Sequence, residues 1–226
     1  MSLLRHLDLQ EKAVLHTFHE ALRNDGTSTT PLASRFQREV IDKLENQKPE
    51  ILVESGRRIV ATDGSLQKHS AHKSVGAGAA VFTVEDSRLN KAVSLPITHN
   101  ISILTAESVA ILAGLAIATR ENYHRLLIVS DSKTAVDKFN QLKNGAYNKH
   151  VATHIGTTPL ERRIWTEIGQ LARVLNVDIR HIRSHQKGDQ SPLMKLNQKA
   201  DDEAKGMMKR LLQQARVEDG LALRVQ

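Results

Sequence analysis

The sequence predicts an α/β domain built on a mixed sheet, preceded by a helical appendage. Two observations predict it. From residue 57 onward, short apolar segments of strand character interleave with longer segments at helical spacing, in the order β-β-β-α-β-α-α-β-α. Before that point only helical periodicity is found.

Taken in order, Leu4, Leu7, Val14, Leu15, Phe18 and Leu22 lie close to one helical stripe. Residues 24–31 read as a linker, rich in Asn, Asp, Gly, Ser and Thr and closed by Pro31. Ser34 and Gln37 have capping-box spacing, and Phe36, Val40, Ile41 and Leu44 continue as one face until Lys48-Pro49 ends it. Residues 1–55 are therefore expected as an appendage with its linker near 24–33, residues 56–215 as the main domain, and 216–226 as a tail.

In the main domain Ile59 to Thr62 reads as a short strand ending at Asp63-Gly64-Ser65, followed by a polar loop from Gln67 to Ser74. Val75 to Phe82 and Ala92 to Ile97 are the second and third strands. A helix is predicted over about 105–119, then a strand from Leu126 to Val129 that stops at Ser130-Asp131-Ser132. Val136, Phe139 and Leu142 mark the next helix. Leu160, Ile164, Ile168, Leu171 and Leu175 mark another, Val177 to Ile182 is the last strand, and residues 197–214 are helical in composition. The βαβ crossovers make the later strands parallel to the first.

Composition narrows the function. The absence of Cys excludes disulfides and thiolate metal sites and fits a reducing compartment. With Trp165, two Tyr and four Phe, the core must be aliphatic, and binding by many stacked bases is disfavoured. A net charge of +7 and a pI near 9.7 favour a polyanionic partner. Arg5, His6, Asp8, Glu11 and Lys12 break up the N-terminal apolar residues, so no secretory signal is read and an intracellular location, cytoplasmic or nuclear, is expected. The apolar run from Ile101 to Thr119 carries Glu107, which would be costly in lipid, so a core helix is expected and no membrane partner.

The chemistry is carried by acids at the ends of apolar elements. Asp63 closes the first strand and Asp131 the fourth; in parallel neighbours both carboxylates emerge at one sheet edge. Glu107 stands in the first turn of an apolar helix and needs a cation or a hydrogen-bonded partner. Asp201 and Asp202 open the last helix. Converging carboxylates repel unless a hard cation neutralises them, and two such ions about 4 Å apart can activate water and stabilise a leaving oxygen. Each acid alone has a plainer explanation: a turn at Asp63, a helix N-cap at Asp131, a helix-dipole partner at Asp201. Only the set is specific, and it requires the four to gather within roughly 10 Å of a common centre.

Thr62-Asp63-Gly64-Ser65, the strand containing Gly76-Ala77-Gly78-Ala79, Thr105-Ala106-Glu107 and Val129-Ser130-Asp131-Ser132 together resemble the ribonuclease H family, type 1-like. His181-Ile182-Arg183-Ser184-His185 and Asn197-Gln198-Lys199-Ala200-Asp201 are similar to its closing signature, and Trp165 fits the helix before its last strand. The resemblance covers about residues 57–210, and its wording is closer to reverse-transcriptase-associated members than to compact bacterial ones. It implies a five-stranded mixed sheet, three strands antiparallel and then two parallel, flanked by helices. It further implies that Asp63, Glu107, Asp131 and Asp201 hold two Mg²⁺ or Mn²⁺ ions. By the same resemblance His185 serves proton transfer or product release, and the RNA strand of an RNA–DNA hybrid is cut to 5′-phosphate and 3′-hydroxyl ends. Gly64, Ser65, Lys68, Thr105, Lys133 and Lys187 are the expected nucleic-acid contacts, with Lys143, Arg163 and others as further phosphate candidates.

The sequence departs from the family in its longer His185 to Asp201 spacing, in Ile103-Leu104-Thr105-Ala106 where bacterial members are asparagine-rich, in Lys133 where a glutamine often stands, and in lacking a basic Trp-rich protrusion. Three functions are compatible with the fold: a hybrid-cutting nuclease, a DNA nuclease of resolvase or transposase type, and an inactive nucleic-acid-binding scaffold. The Asn-x-x-Ala-Asp ending and the upstream histidine favour the first. A free-standing enzyme and a part or partner of a reverse transcriptase are both open.

Overall fold

The computed structural model describes residues 56–68, 74–82, 91–98, 101–183 and 191–222. The strands are β1 (Arg58–Lys68), β2 (Ser74–Phe82), β3 (Lys91–Thr98), β4 (Arg125–Ser130) and β5 (Asn176–His181). The helices are α1 (Ile103–Arg120), α2 (Lys133–Asn144), α3 (Lys149–Ile155), α4 (Pro159–Val174) and α5 (Pro192–Ala222). The expected N-terminal stripe, linker and Ser34 helix lie outside the described residues, as do the middle of the polar loop after β1 and the segment holding His185 and Lys187.

The sheet runs β3-β2-β1-β4-β5. β1, β2 and β3 pair antiparallel, and β4 and β5 add in parallel, as the resemblance implied. Val60 packs with Val109, Leu112, Phe139 and Trp165 in one core that joins α1 to α4 against one face. Ile59, Ala61 and Val129 pack on Leu196 and Ala200 of α5, which covers the other face. Alternation along β1 divides its side chains between these two layers. The run read as a core helix is one: α1 has the length and apolarity of a membrane span, yet 72 % of it is buried inside the domain.

Four expectations need correction. β1 does not end at Asp63. It continues to Lys68 because β2 remains its antiparallel partner, with Asp63 opposite Ala79 and Lys68 opposite Ser74. What ends is the parallel half, whose last pair is Ala61 with Val129. α1 begins before Thr105. Ser102 is its N-cap, exchanging hydrogen bonds with Thr105 in a capping box, so Glu107 belongs to the second turn. α5 begins at Pro192 rather than Asn197: Pro suits the first helical position, and Ser191 Oγ accepts from Met194 N at 3.4 Å. Asp201 is thereby in the third turn, and the helix runs to Ala222. Lastly, α3 occupies what was read as loop, giving β-β-β-α-β-α-α-α-β-α. Only Ala152 and Ile155 of this seven-residue helix are buried, too short a stripe for periodicity to reveal.

Candidate active site

Asp63 stands where β1 outlasts its parallel partner. Carried two positions past the last pair, the β1–β4 register sets Asp63 level with Asp131. Asp131 follows β4 directly, and the capping role it could have filled is taken by Ser132, whose side chain accepts from Ala135 N. The Asp131 carboxylate is thus free to face the cluster. Its backbone is held by His181 at the end of β5, whose Nε2 lies 3.1 Å from the Asp131 carbonyl and must be the protonated nitrogen to donate to it.

Glu107 arrives from α1, and glycines bring it in. Gly64 on β1 and Gly78 on β2 are register partners lying under α1. A Cβ on Gly64 would come within 2.4 Å of Glu107 N, and one on Gly78 within 2.6 Å of Ala106 O. The Asp-Gly step read as a turn signal is instead a flat seat for the helix. It lets the backbones approach closely enough for one ligand oxygen each of Asp63, Glu107 and Asp131 to lie within 4.8 Å of one another.

The electrostatics follow from that crowding. Burial, then repulsion from Asp131 and Asp201, push the Asp63 carboxyl up to about 8, against a weaker pull from Lys205 and a backbone hydrogen bond from Gly64. Burial, then Asp63 and Asp131, push Glu107 up to about 9. Glu107 Oε2 is buried without a hydrogen-bond partner. The fourth acid, Asp201, is close enough to act on both but lies outside the 4.8 Å group. Its Oδ2 accepts from Lys205 Nζ at 2.6 Å and from Gln198 Nε2 at 3.0 Å. Asp202 is exposed.

A hard divalent cation fits these residues. The donor set is all oxygen, one acceptor is buried and unpartnered, and burial and mutual repulsion keep the carboxyls from ionising unless positive charge is brought in. Lys205, one helical turn beyond Asp201, supplies part of that charge. It was missed in the sequence, although an Asp and a Lys four apart on a helix are a legible pair.

A family model for RNase H matches residues 56–209. The chain belongs to the RNase H family. No curated protein matches it. Among solved structures, the RNase H1 of Halobacterium salinarum is 18% identical with a TM-score of 0.44, covering 69% of this chain and 99% of that one. The prototype foamy virus protease–reverse transcriptase is 18% identical with a TM-score of 0.50, over 67% of this chain and 21% of that one. The latter likeness supports the RNase H fold.

The remaining expected contacts of this RNase H domain divide. Lys133 is exposed as the first residue of α2, two positions from Asp131. Lys68 is exposed too, but five residues beyond Asp63 on β1, roughly 17 Å along the strand. Gly64, expected to approach the RNA through its backbone, is half-buried under α1, and Ser65 beside it is buried. Thr105, expected as a nucleic-acid contact, presents no surface to one. It is fully buried and its hydroxyl bonds to Glu161. Lys143 and Arg163 are engaged within the protein, by Asp178 and Glu167 respectively.

Proposed function

We propose that this chain is an endonuclease that hydrolyses the RNA strand of RNA–DNA hybrids, with two Mg²⁺ or Mn²⁺ ions held by Asp63, Glu107, Asp131 and Asp201. The observation that carries the reading is the convergence of three carboxylates, from β1, α1 and the end of β4, inside 4.8 Å. No fold-stabilising need explains that convergence, because the groups oppose one another's ionisation. Bound there, such ions would lower the pKa of a water and neutralise charge on the scissile phosphate.

The protein's own groups do the rest. Asp63 on β1 and Asp131 directly after the parallel neighbour β4 set the spacing of the cluster. Glu107 closes it from the helix layer, and Asp201 comes from α5 on the opposite layer once released from Lys205. Lys133, exposed beside Asp131, offers an ammonium to a backbone phosphate. His185 takes the proton-transfer role in this proposal. A reverse transcriptase is the partner the proposal favours, since it generates the hybrid such a domain consumes, and co-purification with one would test that.

The test is a panel of RNA–DNA hybrid, double-stranded RNA, duplex DNA and four-way junction, each with Mg²⁺, Mn²⁺ or chelator. Hybrid alone should be cut, in the RNA strand, and only with metal. Asp131→Asn should remove cleavage while leaving the far-ultraviolet circular dichroism unchanged. Preferential cutting of the junction, or an active Asp131→Asn, would overturn the reading.

A further inference from the structure

Glu161 is a buried carboxylate that the catalytic reading does not use. It is 1% exposed, at the third position of α4, and Thr158 caps that helix by accepting from Glu161 N at 3.1 Å. Its side chain does not turn to solvent. Oε1 accepts from Ser102 Oγ at 2.8 Å and from Thr105 Oγ1 at 3.0 Å, while Oε2 accepts from Thr157 N at 3.0 Å and Thr157 Oγ1 at 2.6 Å.

All four contacts can be donated to it at once, which suits an ionised carboxylate and no other common side chain. Burial raises its pKa, but the hydrogen bonds from Thr157, Ser102 and Thr105 outweigh this and hold it below the usual glutamate range. The two hydroxyls on the α1 side are the same two that form the α1 capping box. Ser102 Oγ accepts the N–H of Thr105, Thr105 Oγ1 accepts the N–H of Ser102, and each hydroxyl can pass its own hydrogen to Glu161. A single anion therefore secures the first turn of α1 to the start of α4.

The clamp holds Ser102 and Thr105, five and two residues before Glu107, at the N-terminus of the helix that carries it. A shared cation needs the ligand oxygens of Glu107, Asp63 and Asp131 within 4.8 Å of one another, and three acids with no hydrogen bond among them cannot hold α1 at that distance themselves. Gly64 and Gly78 set how near α1 can come, but flat glycine seats do not stop a helix from sliding along its axis. We infer that Glu161 is a positioning residue for the metal centre: through Ser102 and Thr105 it fixes the axial register of α1, and so keeps Glu107 within ligand distance of Asp63 and Asp131. This rests on the reading of Glu107 as a metal ligand.

The test measures Mn²⁺ affinity of the nucleic-acid-free protein, by calorimetry or by the electron paramagnetic resonance of free Mn²⁺, well below each variant's unfolding temperature. Four variants are compared: Glu107→Gln, Glu161→Gln, Thr105→Val and Thr157→Val. Glu161→Gln should raise the Mn²⁺ Kd about tenfold, the low end of what loss of a supporting partner outside the ligands produces. Thr105→Val should weaken binding in the same direction. Thr157→Val removes one donor on the α4 side only and should leave the Kd within about twofold, since the α1 bonds persist. A Glu161→Gln protein of lower Tm but unchanged Mn²⁺ Kd would overturn the inference and leave Glu161 a purely structural clamp. So would equal weakening by Thr105→Val and Thr157→Val. Should Glu107→Gln itself leave the Kd unchanged, the metal-ligand reading fails instead, and the two failures are told apart.

Discussion

At the scale of single residues, the native protein without metal carries charge it resists. Asp63 and Glu107 have carboxyls raised to about 8 and about 9, burial being the first cause for each. A carboxyl raised in the folded state contributes stability that is fully present below its unfolded pKa and lost as pH climbs through the folded value. In chelator, thermal stability should therefore fall between about pH 5 and pH 9. Glu107→Gln cancels one of these groups, so its Tm in chelator at pH 8 should exceed that of the parent by roughly 2–4 °C, the shift that about 1 kcal/mol produces in a domain of this size. The gap should shrink toward pH 5. A parent Tm that rises across this window, or a variant less stable than the parent at pH 8, contradicts the burial of an uncompensated carboxylate. The need of Glu107 for a cation or partner was legible in the sequence as an acid in an apolar helix. The partners of Thr105 were not, because Glu161 lies 56 residues away and nothing local indicates the contact.

At the scale of elements, α1 meets the sheet through a pair of small residues, Gly64 of β1 and Gly78 of β2. Gly78→Ala would put a Cβ 2.6 Å from Ala106 O and 2.8 Å from Ala110 N, both backbone atoms that cannot rotate aside. The helix must lift or the strand must bend, at a cost of about 1–3 kcal/mol. Because Glu107 follows Ala106, the same displacement should weaken Mn²⁺ binding and reduce hybrid cleavage even at temperatures where the variant is fully folded. Gly114→Ala is the comparison. Its Cβ would meet only side-chain atoms of Val60 and Thr62 at 3.5 Å and beyond, so both stability and metal affinity should stay near the parent's. Equal losses in the two variants would mean that helix–sheet spacing near Glu107 has no special weight. The strands, the two core helices and the parallel crossover were all readable from periodicity. Their ends were misjudged where capping chemistry outran the apolar pattern, as at Ser102 and at Ser191-Pro192.

At the scale of the whole molecule, the site joins three layers. Asp63 and Asp131 come from the sheet, Glu107 from the helices on one face, and Asp201 from α5 on the other. A cation bound by all of them ties the layers together, so metal binding should register as global stability. Mg²⁺ at a hundred times its Kd should add about 2.7 kcal/mol. The stabilisation should grow from pH 6 to pH 8.5, since binding needs the carboxylates ionised while the metal-free state prefers them protonated. Asp131→Asn should lose most of it. Thermal scans with and without Mg²⁺ at both pH values decide this. A metal-induced Tm shift independent of pH would argue against binding at the cluster.

The sequence by itself determined the order of the five strands and of every helix but the short α3, the family resemblance and the identity of the acids, since these depend on local periodicity, on composition and on the order of short motifs along the chain. Only the tertiary structure decided that Asp63 lies in mid-strand beyond the end of β4, level with Asp131, and that Glu161 bonds to Ser102 and Thr105 at the start of α1. The physical reason is range. Caps and periodicities act over a few residues and leave a pattern in the text. Repulsion, burial and hydrogen bonding between distant segments come into being only when the backbone has brought them within a few ångströms.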